Sequence, residues 1–297
     1  MSRNSLLLSL TNDQLPMIQN KIAICFFGIT RSLKFTIESI EKCVIDPARE
    51  AGSVKLFSHF FNQKQIDNPR SGEKGILDTN EHRLLPSDWI ALEEPDEGFA
   101  AHNVEVLKQF GDRWNDNFVS LRNLIHQLHS LDRVTTAATE WDADIYIFVR
   151  PDIKYHDSLK PYVRRAIDSS EAVLLIPDWQ HGYGYNDRFA ICSTKPVAIA
   201  YGQRGKNCLE FCMKRKEPLH SESLLEYSLN KEGIRPELMD AKGSRVRSNG
   251  SVRIEHFTKK KYSKLRKMLI NILFRLRIIN ILPKMLRAEF RIKHKER

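Results

Sequence analysis

An α/β fold, with a mostly parallel sheet covered by helices on both faces, follows from two observations. Stretches with strand character alternate with stretches of helical spacing, and several of the strands are continuous apolar runs of the kind buried on both sides. A third observation locates a site: the apolar runs stop abruptly at polar clusters, Arg150-Pro151-Asp152 above all.

Residues 21–28, KIAICFFG, form the first strand and close on Gly28, followed by Arg31-Ser32. Leu33, Ile37, Ile40 and Val44 then recur at helical spacing. VKLFSHFFN, 54–62, reads as a second strand, and residues 63–99 as a loop region with short irregular elements, rich in Pro, Asp, Glu, Asn and Gly. A long helix spans 117–141, with Leu121, Ile125, Leu128, Leu131 and Val134 on one face. Strands follow over 142–149, 172–178 and 187–193, then a helix over 221–233 that ends at Gly233. Residues 1–20 are a lead-in, 21–257 one α/β domain, and 258–297 a separate tail.

In parallel α/β sheets, ligands bind beyond the carboxyl ends of the strands. Gly28-Ile29-Thr30-Arg31, His59, Arg150-Pro151-Asp152 and Pro177-Asp178 all fall at such ends. Pro151 fixes its own backbone angle and drives Arg150 extended, so the flanking side chains have set directions. Arg150 can clamp a phosphate or carboxylate with its fork of donors. Asp152 can hold a divalent cation or a sugar hydroxyl. The same tripeptide also reads as a strand-end ion pair with a turn proline. Asp142-Ala143-Asp144 has the Asp-x-Asp spacing of a metal site but precedes its strand, which places it at the opposite edge as solvated acid. Gly184 and Asn186 suit a turn, and Ser221 suits a helix N-cap with Glu222 in the first turn.

Several classes are excluded. There is no Gly-x-Gly-x-x-Gly, P-loop, Gly-x-Ser-x-Gly or His-Glu-x-x-His motif. The five cysteines have no zinc-type pairing and read as buried thiols of a reducing cytoplasm. Leu6 to Leu10 is too short for a signal-peptide core, and no run reaches the ~18 apolar residues of a spanning helix.

Taken in order, six motifs resemble a glycosyltransferase family of polysaccharide and lipopolysaccharide synthesis with a Rossmann-like, GT-A-type fold. They are Gly28-Ile29-Thr30-Arg31; Phe57-Ser58-His59; Gln127-Leu128-His129-Ser130-Leu131; Arg150-Pro151-Asp152; Asp187-Arg188-Phe189-Ala190; and His220-Ser221-Glu222-Ser223-Leu224-Leu225. The resemblance covers about residues 21–233 and implies transfer of a sugar from a nucleotide-sugar donor to a glycan or lipid-linked acceptor. It implies that Gly28, Arg31, His59, Gln127, Ser130 and Arg150 bind the donor. Asp152, Asp187 and Glu222 would be the catalytic carboxylates, with Asp152 also the candidate ligand for Mn2+ or Mg2+. The usual Asp-x-Asp is missing from the expected strand end, so Arg150 in place of a cation, and hence metal-independent action, stays open.

The net charge of +10 is unevenly distributed. Residues 258–297 hold 14 Lys/Arg and two acids, or +12, which leaves 47 − 14 = 33 bases and 37 − 2 = 35 acids elsewhere, or −2. A near-neutral body argues against nucleic acid as partner, and the tail's aliphatic interleaving offers nothing for bases to stack on. Leu265, Leu269, Ile272, Leu276 and Ile279 lie along one helical face with Lys264, Lys267 and Arg275 opposite. Such a helix either packs on its own domain with Lys and Arg in water or lies on an anionic membrane surface; the second reading implies a cytoplasmic protein peripheral to the inner membrane face. A non-catalytic membrane adaptor with a transferase-like body is the alternative reading.

Overall fold

The structure is a computed structural model that describes residues 20–95 and 103–259. The lead-in before Asn20 and the tail helix expected after Lys259 lie outside the described residues. In chain order the elements are β1 (Lys21–Gly28), α1 (Leu33–Ile40), α2 (Asp46–Arg49), β2 (Ser53–Phe61), β3 (Gln65–Asn68), β4 (Glu73–Ile76) and β5 (Trp89–Glu93). Next come α3 (Val104–Lys108), α4 (Val119–Glu140), β6 (Ile145–Val149), β7 (Ile153–Tyr155), α5 (Lys160–Ile167) and β8 (Leu174–Pro177). The chain closes with β9 (Ala190–Cys192), α6 (Lys195–Gly202), α7 (Cys208–Arg215), α8 (Ser221–Lys231), β10 (Glu237–Met239) and β11 (Gly243–Arg245).

Seven strands form the central sheet in the order β10-β8-β9-β6-β1-β2-β5. Pairing is parallel throughout except at β9, which runs antiparallel to both β6 and β8. The apolar runs are continuous because the central strands are buried on both faces. Ile22, Ile24, Phe26, Ile145, Ile147 and Val149 pack on one side, beneath α1, α2 and α5. Ala23, Cys25, Phe27, Tyr146 and Phe148 pack on the other, against α4, α6 and α8. The expected face of α4 is fully buried, with Leu131 and Val134 in this packing and Ile125 and Leu128 in a third cluster with α3, α7 and α8. All five cysteines are buried free thiols. Among the described residues, no helix is long and apolar enough to cross a membrane.

Three expectations are corrected. Residues 63–99 hold more than loops: a β3–β4 hairpin and the edge strand β5, paired to β2 through Phe57 and Trp89 to Phe61 and Glu93. Strand β6 begins at Ile145, leaving Asp142 and Asp144 exposed at its amino edge, where Asp144 accepts the Lys21 backbone N–H at 2.8 Å. Ser221 does not cap α8: the N-cap is His220, without a side-chain cap bond.

The proline that ends β6 makes a tight turn. Its carbonyl accepts the Thr36 hydroxyl at 2.6 Å, and the Ile153 N–H returns to the Arg150 carbonyl at 3.3 Å. The chain then leaves the main sheet as β7, which pairs with β11.

Gly184 brings its loop against the first turn of α8, where the Tyr185 N–H donates to the Glu222 carbonyl at 3.1 Å. A Cβ at 184 would lie 2.0 Å from that carbonyl oxygen. Gly184→Ala should therefore cost about 1–3 kcal/mol through forced separation of loop and helix. A urea midpoint equal to that of the wild type would show that the two segments do not touch.

Candidate functional site

The carboxyl edge of the sheet brings together side chains that are far apart in sequence. Arg31, just after β1, donates to the Asp152 carboxylate at 2.5 Å. Arg150, at the end of β6, grips the same carboxylate through Nε and one terminal nitrogen, both at 2.9 Å. Its other terminal nitrogen donates to Gln127 of α4 at 2.8 Å. Gln127 in turn donates to Asp187 at 3.3 Å, and Asp187 also accepts the Ser221 hydroxyl from the start of α8. Four separate expectations thus meet in one chain of hydrogen bonds: Arg31, Asp152 with Arg150, Gln127, and Asp187.

Strand direction explains why Asp187 joins. It precedes β9, and the beginning of a parallel strand would lie at the far edge. Because β9 runs antiparallel, with Phe148 opposite Ala190, its beginning lies beside the end of β6.

Residues outside the sequence expectations enlarge the network. Glu73 of the β3–β4 hairpin accepts Arg31 and Arg247, each at 3.0 Å. Glu255, its side chain wholly buried, has Arg245, Arg188 and Arg253 at 3.3, 3.6 and 3.8 Å. Arg204, also buried, lies 3.6 Å from Asp187. Arg245, Arg247, Arg253 and Glu255 come from one ribbon whose turn carries Asn249-Gly250 and whose strands bridge at Val246 and Val252. Asn-Gly between alternating residues is a strong hairpin signal, so this ribbon was open to recognition from sequence.

Cations exceed anions here. Seven arginines (31, 150, 188, 204, 245, 247 and 253) meet four paired carboxylates (73, 152, 187 and 255). Burial, followed by the repulsion of Arg188 and Arg253, drives the Arg245 pKa well down. Arg253 is lowered by burial too, with Arg188 and Arg247 adding to it. A guanidinium does not give up its proton in a protein, so positive charge is crowded around Glu255. Such crowding attracts an anion.

The carboxylates divide by environment. Burial pushes Asp152 up, but Arg150 and Arg31 outweigh it and hold the carboxyl well below the usual range. Asp187 is also lowered, since Arg204 and the Ser221 hydroxyl outweigh its burial. Glu222 goes the other way: burial, then the neighbouring Asp187 charge, push it up to about 7. Its carboxylate meets the Tyr183 N–H at 3.4 Å and has no cation partner among the ion pairs of the described residues.

Two donor-binding expectations land differently. Ser130 is fully buried; its hydroxyl accepts the Gly28 N–H at 2.8 Å and donates to the His59 carbonyl at 2.7 Å. His59 is fully buried as well, its Nδ1 on the Ser130 hydroxyl at 2.9 Å. Both side chains lie beneath the site, tying β1 and β2 to α4, with no surface left for a nucleotide. Gly28, at φ 110°, turns the chain out of β1 towards Arg31.

A divalent cation on Asp152 does not fit. Both carboxylate oxygens already face guanidinium groups, and a metal ion there would be pressed against two like charges.

No protein-family model matches the chain, and no curated protein matches it. Among solved structures it is similar to mouse xyloside xylosyltransferase 1 in its apo form, at 8% identity over 74% of this chain and 84% of that one, with a TM-score of 0.41. It is similar also to the galactosyltransferase LgtC in complex with donor and acceptor sugar analogues, at 16% identity over 72% of each chain, with a TM-score of 0.39. At those values the likeness concerns the course of the chain.

Asp152 is the hub of the paired charges, so Asp152→Asn leaves two buried guanidinium groups facing an amide. The expected loss is about 3–5 kcal/mol in urea unfolding, the cost of breaking a buried pair. A loss below about 1 kcal/mol would place the pair in solvent.

Proposed function

We propose that the chain is a glycosyltransferase whose arginine-rich rim holds the diphosphate of a nucleotide-sugar donor without a divalent cation. The observation that carries this reading is the excess of buried guanidinium charge at the carboxyl ends of β1 and β6. Arg31 and Arg150 are the first to hold the diphosphate, Arg31 anchored by Asp152 and Glu73, and Arg150 by Asp152 and Gln127. Forked donors pair two at a time with phosphate oxygens, and the charge on the leaving diphosphate grows as the sugar–oxygen bond breaks.

The acceptor hydroxyl is activated by Glu222. A hydroxyl is a weak nucleophile until its proton is being removed, and the best base has a pKa near the working pH. Glu222, at about 7, meets that condition, whereas Asp187 is lowered and taken up by Ser221 and Gln127. The hydroxyl oxygen bonds to the anomeric carbon as its proton passes to Glu222, and the nucleoside diphosphate departs with the electron pair of the broken bond. Tyr183 and His220, with ring centres 4.9 Å apart beside Glu222, offer an apolar wall to an acceptor sugar.

The acceptor is a glycan or a lipid-linked sugar of cell-surface polysaccharide or lipopolysaccharide synthesis. Residues 258–297 hold the enzyme on the anionic inner face of the membrane. Co-sedimentation with anionic liposomes should accordingly vanish when 258–297 is removed; retained binding would refute that placement. UDP-, GDP- and CMP-sugars supply the donor test. Turnover of one of them in EDTA is expected, unchanged by Mn2+ or Mg2+. Failure of every donor to bind or react, with or without metal, would leave the non-catalytic adaptor in its place.

Glu222 gives a second test through pH. Its folded pKa lies above the ordinary 4.5, so the folded protein holds an extra proton between pH 4.5 and about 7. Its contribution to stability is complete at low pH and is lost as pH rises through 7. Glu222→Gln should match the wild type below about pH 4 and exceed it at pH 8 by on the order of 3 kcal/mol. The same variant should lose roughly 10²–10⁴-fold in kcat and the limb near pH 7 in kcat/KM. A full rate with an unaltered pH profile would remove Glu222 from the chemistry.

A further inference from the structure

His59, already seen to lie beneath the rim, has a second nitrogen that the network leaves unexplained. The Ser130 hydroxyl has one hydrogen, and it goes to the His59 carbonyl at 2.7 Å. Ser130 can therefore only accept from the ring, so Nδ1 carries the proton that makes the 2.9 Å contact. Nε2 points the opposite way. It is buried, finds no hydrogen-bond partner of acceptable geometry, and yet lies 3.2 Å from a Glu93 carboxylate oxygen.

A lone pair and a carboxylate facing each other at that distance call for a cation between them. A proton on Nε2 does not answer, because it would point off the line to the Glu93 oxygen. A second imidazole converges on the same carboxylate: His129 Nε2 lies 2.7 Å from its other oxygen. The three donor atoms all fall within 4.8 Å of one another, against roughly 3.3 Å between neighbouring ligands of a tetrahedral zinc ion. Ion binding would draw the three donor atoms together by side-chain rotation.

We propose that His59 Nε2, His129 Nε2 and Glu93 form a binding site for one divalent transition-metal ion of the zinc type. Two imidazoles and one carboxylate favour such an ion over Mg2+ or Ca2+, which prefer all-oxygen shells. The supporting contacts are in place. A ligating histidine ordinarily donates its other ring N–H to an oxygen, as His59 does to Ser130. Arg133 Nε lies 2.9 Å from the same Glu93 oxygen that faces His59, but its side chain is about half exposed, so unlike the enclosed arginines at Asp152 it has solvent to move into when an ion enters. The site joins β2, the edge strand β5 and α4, so the ion would clamp the edge of the sheet onto the helix below the rim. It is separate from Asp152, and it does not depend on the transferase reading.

The test uses the full chain, stripped with EDTA and dialysed against Zn2+, with bound metal measured by mass spectrometry. Wild type should bind about one Zn2+ per chain, and His129→Gln and Glu93→Gln should each weaken binding at least about tenfold. Co2+ in the wild type should give visible absorption of a four- or five-coordinate nitrogen–oxygen site, absent from either variant. No binding at about 100 µM free metal would overturn the proposal. So would equal binding in wild type and both variants, which would trace the metal to cysteines or to the tail. Should one variant fail to fold, the other and the wild-type Co2+ spectrum still decide.

Discussion

Two guanidinium groups, from Arg31 after β1 and Arg150 after β6, share the single carboxylate of Asp152. That arrangement requires three things of the fold: parallel neighbouring strands that end at the same edge, a proline turn that reverses the chain between Arg150 and Ile153, and helix α4 close enough to present Gln127. Each is observed. Buried pairing of this kind contributes little net stability, because desolvation offsets most of the attraction. Its effect is to fix direction: both arginines are held rigid before any ligand arrives, so little rotamer entropy remains to be lost on binding.

Around this core the charge does not balance. Arg245 and Arg253 are depressed by burial and then by neighbouring arginines, while Glu222 is raised by burial and by Asp187. In the proposed reaction a diphosphate would bring negative charge to the arginines, and an acceptor hydroxyl would bring a proton donor to Glu222. On the proposed reading, the disfavoured cation at Asp152 and the surplus of arginine belong together, with fixed guanidinium groups in the place of a metal ion.

The legible part of the molecule was that with a strong period. β1, β2, β6 and α4 declared themselves because they are buried on both faces or along one helical face. β7 and β10 did not: each has three residues, too few for any pattern, and β11 was open to recognition only through the Asn249-Gly250 turn of its ribbon. β5 was hidden in a polar stretch because only the paired side of its backbone holds it in the sheet. At the site, Arg31, Arg150 and Asp152 were found because they punctuate apolar strands. Asp187 was found without the reason for its place, since nothing in DRFAICS announces that β9 runs antiparallel. Glu73 and Glu255 went unrecognised, as an acid in a loop-like segment looks the same whether it meets water or three arginines. Ser130 and His59 were recognised as residues and misjudged as surface, because burial beneath a strand end has no local signature.

The most direct measurement is a crystal structure with a nucleoside diphosphate bound in the presence of EDTA. The account predicts the diphosphate on Arg31 and Arg150, with Asp152 still between them and no metal density beside it. A nucleotide held elsewhere, or one that enters only with a divalent ion displacing an arginine from Asp152, would contradict it.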